Sequence, residues 1–143
     1  MRMRLATALI CATMPFAIAG ANQPANLSGN WMLEASAASG QNFQLGAVAG
    51  MLTLQQKDDA VTGTWKGKMP EPWKLTGRVK GSTFELETEV RDVPATRNDE
   101  PTTVPRRWIF RGTADGDKMT GSMLLAGGDG DPPAQAFSAE RKR

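Results

Sequence analysis

The 143-residue chain contains no histidine, no tyrosine and a single cysteine. Each absence removes a kind of chemistry. Histidine is the usual general base near neutral pH and the commonest transition-metal ligand, so zinc or haem held by histidine and a Ser-His-Asp triad are excluded. The one cysteine, Cys11, has no partner for an intrachain disulfide. A mature domain without it must be held by its core, even where disulfides persist. Charge of one sign is lacking too: the formal net charge is only +2.

The single long apolar run lies at the N-terminus. Met1-Arg2-Met3-Arg4 is a short positive segment, and Leu5 to Ala19 follows without a charge. It closes on Ala17-Ile18-Ala19 and Gly20-Ala21, which fits the small-x-small rule of signal peptidase. A membrane anchor needs about 20 apolar residues, and this run is shorter and interrupted by Pro15. No membrane anchor is expected. Residues 1–21 read as a cleaved signal peptide, and residues 22–143 as one domain of a periplasmic or secreted protein. Cys11 lies mid-run behind Ile10, not behind a small residue, which excludes lipidation. Arg2 and Arg4 carry the whole formal excess, so the mature chain is neutral and has no bulk attraction for nucleic acid or an anionic membrane.

After Ser28 the pattern is short apolar alternation punctuated by glycine, asparagine and aspartate. Eight strands are predicted: 29–36, 51–56, 61–68, 73–80, 84–91, 107–114, 118–125 and 136–142. The clearest pair sets Trp73, Leu75, Gly77 and Val79 on one face, then Phe84, Leu86, Thr88 and Val90. Lys74, Arg78 and Lys80 lie opposite Glu85, Glu87 and Glu89 on the other. Such period-2 alternation marks a half-buried antiparallel sheet. The pattern W-x-[LF]-x-G-x-x-x-G occurs twice, from Trp73 to Gly81 and from Trp108 to Gly116, and suggests a repeated hairpin. Glycines inside strands mark bends of the kind small barrels need to close. The expected fold is all-β, an eight-stranded antiparallel up-and-down barrel, with a β-sandwich as the alternative.

Three connections are long. Residues 37–50 read as a short helix or flap, 92–106, with Pro94, Pro101 and Pro105, as an exposed mobile loop, and 127–135 as Gly/Asp/Pro-rich. All three follow odd-numbered strands and therefore share one end. The stiff Met69-Pro70-Glu71-Pro72 connection is assigned to the opposite end, and Glu71 is given no catalytic role.

The motif order resembles calycin barrels, the lipocalin-like and avidin-like folds. The carriers are Gly29-Asn30-Trp31 near the mature start, Thr62-Gly63-Thr64-Trp65, Thr76-Gly77-Arg78, Thr120-Gly121, and the closing Phe137-Ser138-Ala139-Glu140-Arg141. The resemblance implies a ligand-holding barrel. It also implies against biotin: Trp65 stands where avidin-like proteins have tyrosine, Gly67 where they have serine, and Met32 to Ser36 offer no match to their polar groups.

The candidate ligand-binding residues are the inward aromatics Trp31, Trp65, Trp73, Phe84, Trp108 and Phe110, with Met123. They read either as the lining of a cavity for a small apolar ligand or as plain core, with Trp31 plugging the closed end. Asp115-Gly116-Asp117 reads as a hairpin turn and Asp129-Gly130-Asp131 as a loop, since neither has the further oxygen ligands of a calcium site. Glu85, Glu87 and Glu89 form a solvated row facing the bases of the preceding strand. Arg106 and Arg107 start a strand, with an anion site as the lesser reading. No cofactor or metal is expected. The expected function is non-catalytic binding of a small apolar ligand. The alternatives are a protein-interaction or inhibitor module acting through loops 37–50, 92–106 and 127–135, and a barrel enzyme working without histidine, cysteine or tyrosine.

Overall fold

The structure, a computed structural model, describes residues 24–39, 44–127 and 133–142. The signal-peptide reading of residues 1–21 lies outside them, as do Phe43 and the Asp129–Asp131 segment. Eleven strands and no helix occur among the described residues. They are β1 (Gly29–Ala35), β2 (Ala38–Ser39), β3 (Gln44–Leu45), β4 (Val48–Lys57), β5 (Ala60–Lys66), β6 (Trp73–Lys80), β7 (Thr83–Thr88), β8 (Arg91–Arg97), β9 (Glu100–Asp115), β10 (Lys118–Ala126) and β11 (Gln135–Lys142).

Eight of them close an antiparallel barrel in the order β1-β4-β5-β6-β7-β9-β10-β11, and β11 returns to pair with β1. The expected barrel is therefore the observed one. Alternation causes it: β6 and β7 bury every second side chain, so both strands must curve around one interior. Closure also leaves these eight strands with no free edge.

The glycines permit the curvature where strands approach most closely. Gly112 and Gly121 face each other across β9 and β10. A Cβ on Gly112 would lie 2.1 Å from the Thr120 carbonyl oxygen, and one on Gly121 2.0 Å from that of Arg111. Only two hydrogens fit there.

One end of the barrel is closed by tight turns and by the chain itself. Gly81 and Gly116, at φ of 60° and 59°, make two of these turns. Residues 24–28 cross beneath them, with the Ala25 N–H donating to Gly81 O at 2.8 Å. Leu27 is wholly buried, and the Trp31 indole N–H donates to its carbonyl at 2.8 Å. Arg141 lies 4.5 Å over the Trp31 ring and donates to Ser28 O (2.9 Å), Asn26 O (2.6 Å) and Gly116 O (3.2 Å). Its guanidinium also faces the Asp117 carboxylate at 3.3 Å. The first and last motifs of the chain thus meet in one closure.

The middle of the barrel is filled. Leu33, Leu52, Leu86, Phe110 and Met123 have 0% accessible surface, which leaves no water-sized void against any of them. Phe110 meets Trp65 edge-on at 5.5 Å and Phe137 at 6.0 Å, and Phe137 meets Phe84 at 6.4 Å. Eight strands make a barrel just wide enough for such packing.

One loop expectation fails, and a second is narrowed. Residues 92–106 are not a mobile loop: β8 pairs with the first half of β9 around the two-residue turn Asn98-Asp99. Both turn residues have positive φ, 52° and 62°, the twist-matched geometry for a hairpin. This ribbon projects beyond the barrel. Arg97 and Glu100 flank the turn as a hydrogen-bonded pair, so alternation makes Ala95–Thr102, Val93–Val104 and Arg91–Arg106 hydrogen-bonded as well. Pro94, Pro101 and Pro105 all fall in the other pairs, where the N–H would point outward. The ladder loses nothing. Residues 37–50 hold no helix among their described positions; β2 and β3 pair briefly, and 48–50 open β4.

Candidate functional site

The long connections gather at the end opposite the Trp31 closure, and there the packed interior opens into a cleft of about 120 Å³. Its walls are Trp65 at the end of β5, Trp73 at the start of β6, Trp108 on β9, Val48 on β4 and Leu125 on β10. Val93 of the ribbon and residues 67–69 complete it.

The repeated W-x-[LF]-x-G-x-x-x-G unit explains two of the three tryptophans. Each copy starts at the mouth, passes its strand glycine halfway, and ends on a turn glycine at the closed end. The tryptophan is therefore placed at the mouth both times. Trp65 reaches the same level from β5, and Trp65 and Trp73 are partners in the β5–β6 ladder. Its indole lies across Gly50, where a Cβ would come within 2.4 Å of the ring.

Arg91 ties the roof to the wall. It stacks 4.9 Å over Trp73, donates to Glu71 O at 3.1 Å and to Pro72 O, and pairs with Glu89 at 2.9 Å. The Glu89 carboxyl also accepts from the Lys74 N–H at 3.2 Å. That backbone hydrogen bond, seconded by Arg91, holds its pKa below the ordinary value. At the ribbon's other strand, Arg106 donates to Leu125 O (3.2 Å) and Gly127 O (2.9 Å). Thr88 Oγ1 accepts from the Trp108 N–H at 2.8 Å. Gln135, only 1% exposed, donates to Ser36 O and Gly46 O, each at 3.0 Å, and fixes the connection after β1.

The seven candidate residues separate by level. Trp108, partly buried, opens to the cleft, and Trp65 and Trp73, 1% and 2% exposed, are core residues that form its floor; Phe84, Phe110 and Met123 lie in the packed interior; Trp31 is the closed-end plug. The Met69–Pro72 connection lies at the mouth, not opposite the long loops. It follows the third barrel strand, and every odd-to-even connection shares that end. Glu85 and Glu87 are exposed as expected, but their ion pairs run to Arg111 and Arg107 on β9, at 3.4 and 3.5 Å, instead of to the bases of β6. Asp115-Gly116-Asp117 is the β9–β10 turn, and Asp117 serves Arg141. Lys68 and Val93 are wall residues that alternation alone does not single out, whereas Leu125 continues the inward face of Met119 and Met123 on β10. The signal for Val93 is the phase of the prolines around Asn98-Asp99.

The class defined by fold and site is a closed eight-stranded antiparallel barrel, filled at its centre, with an aromatic cleft at one end. No protein-family model matches the chain, and no curated protein or solved structure matches it either.

Proposed function

We propose that the protein is an exported, non-catalytic barrel that holds a small apolar group in the tryptophan cleft at its mouth. One observation carries this reading: in an otherwise filled barrel, a cleft roofed by a clamped ribbon opens beside Trp108 over a floor of the buried Trp65 and Trp73. Binding sites are concave and largely apolar with few polar groups, and this cleft has that character. Its size limits the guest. An apolar cavity of about 150 Å³ accommodates benzene, so about 120 Å³ takes one ring or the end of an alkyl chain. Drug-sized sites begin near 300 Å³.

The calycin resemblance fits this reading at the closed end, where its Gly-x-Trp and closing arginine meet. Export rests on the N-terminal pattern, and the non-catalytic reading on the poverty of reactive side chains. The second reading, a protein-interaction module, gains from the projecting β8–β9 ribbon.

Toluene titrated into the protein and followed by the indole N–H signals in ¹H–¹⁵N spectra tests the proposal. Trp65, Trp73 and Trp108 should shift while Trp31, sealed at the other end, stays still. Saturating toluene that moves none of the three sinks it.

A further inference from the structure

The cleft has one charged lining residue, Lys68. It is exposed, and among the described residues no carboxylate comes within ion-pair distance of it. The nearby acids are otherwise engaged or turned away. Glu89 is held by Arg91, Glu87 by Arg107, and Asp92 faces outward on the ribbon in a pair with Pro105. Glu71, three residues along the same connection, is exposed and makes no ion pair within the described residues. Arg91 and Arg106, opposite each other in the ribbon ladder, are already engaged, Arg91 by Glu89 and two carbonyls and Arg106 by the Leu125 and Gly127 carbonyls, which leaves Lys68 as the positive charge free for a ligand. Among the described residues the mouth therefore combines an aromatic wall with one free ammonium, Lys68, and one free carboxylate, Glu71, while the Arg91 charge is paired with Glu89.

Resting on the reading of the cleft as an apolar site, we propose that its ligand is a small aromatic anion: one ring beside Trp108 over Trp65 and Trp73, with a carboxylate directed to Lys68. A ring suits the volume, since a single six-membered ring fills it. Tryptophan faces and edges reward a planar partner with about 0.5–1.5 kcal/mol beyond area alone. The anion suits the rim, because Lys68 is the charge a head group meets on leaving the cleft. A cationic ring would gain from the tryptophan faces but would carry its charge out against Lys68.

Benzoate, benzyl alcohol and benzylammonium share the ring and differ in the head, so titrating all three against the protein separates charge from shape. Benzoate should bind tightest and benzylammonium weakest, with shifts confined to the indoles of Trp65, Trp73 and Trp108. Lys68→Gln should lower the ratio of benzoate to benzyl alcohol affinity about two- to fivefold, the range of an exposed ion pair, since a loss of wall contact would weaken both alike. Raising the salt should erode the benzoate preference. Equal binding of benzoate and benzyl alcohol by the native protein overturns the anion preference while leaving the apolar cleft standing. Preference for benzylammonium overturns it as well. Failure of all three probes overturns this inference together with the cleft reading beneath it.

Discussion

At the residue scale two arginines, one at each end of the barrel, carry the most polar work among the described residues, and Arg141 is the one at the closed end. Arg141 satisfies three backbone carbonyls and covers the Trp31 ring. Replacing it removes charge-assisted bonds worth about 1.5–3 kcal/mol each in the general case, although losses that share one side chain do not add. Arg141→Met should therefore lower stability by about 2–4 kcal/mol, read as a reduced urea midpoint at unchanged slope. Native-like stability in that variant would mean the carbonyls find water at no cost. Glu89 carries the pH dependence of the mouth. Its folded pKa lies below the ordinary 4.5, so its contribution is complete above that value and is lost as pH falls through the lower, folded one. The protection of the Val93 and Arg91 amides, measured against their intrinsic exchange at each pH, should fall on that descent. Glu89→Gln should flatten the profile, and identical profiles in the two proteins would contradict the clamp.

At the element scale the ribbon is the instructive part. The barrel strands are legible because alternation, turn glycines and cross-strand charge all point to one answer. Strand β6 is recovered to the residue. The ribbon is hidden because Pro94, Pro101 and Pro105 look like loop punctuation when taken one by one. Proline removes a donor, yet on a ribbon with two free edges an outward donor is the one a strand can lose. Edge prolines also discourage pairing with another chain. The Met69–Pro72 connection was equally readable, since parity alone assigns it to the mouth. What sequence cannot supply is the reach of Arg91 from the ribbon to Glu71 and Pro72, which depends on curvature. If the prolines blunt the edges, the combined variant Pro94→Thr, Pro101→Thr and Pro105→Thr should associate with rising concentration, where the native ribbon does not. Light scattering from the two proteins checks this, and a variant that scatters no more than the native chain assigns the prolines some other role.

At the scale of the whole molecule the inward aromatics serve two purposes that sequence patterning cannot separate. All seven candidates face inward, so alternation is satisfied by each, but depth along the barrel decides between core and site. Phe84, Phe110 and Met123 supply packing, Trp31 supplies closure, and Trp65, Trp73 and Trp108 supply walls. The barrel is filled at its centre, and the proposed binding is confined to its mouth. Xenon enters dry apolar voids and is readily located in a crystal, which makes pressurised crystals the most direct measurement. Xenon is expected beside Trp108 over Trp65 and Trp73, with none beside Phe110 and Leu33. Xenon at the barrel centre, or none at the mouth, would contradict it.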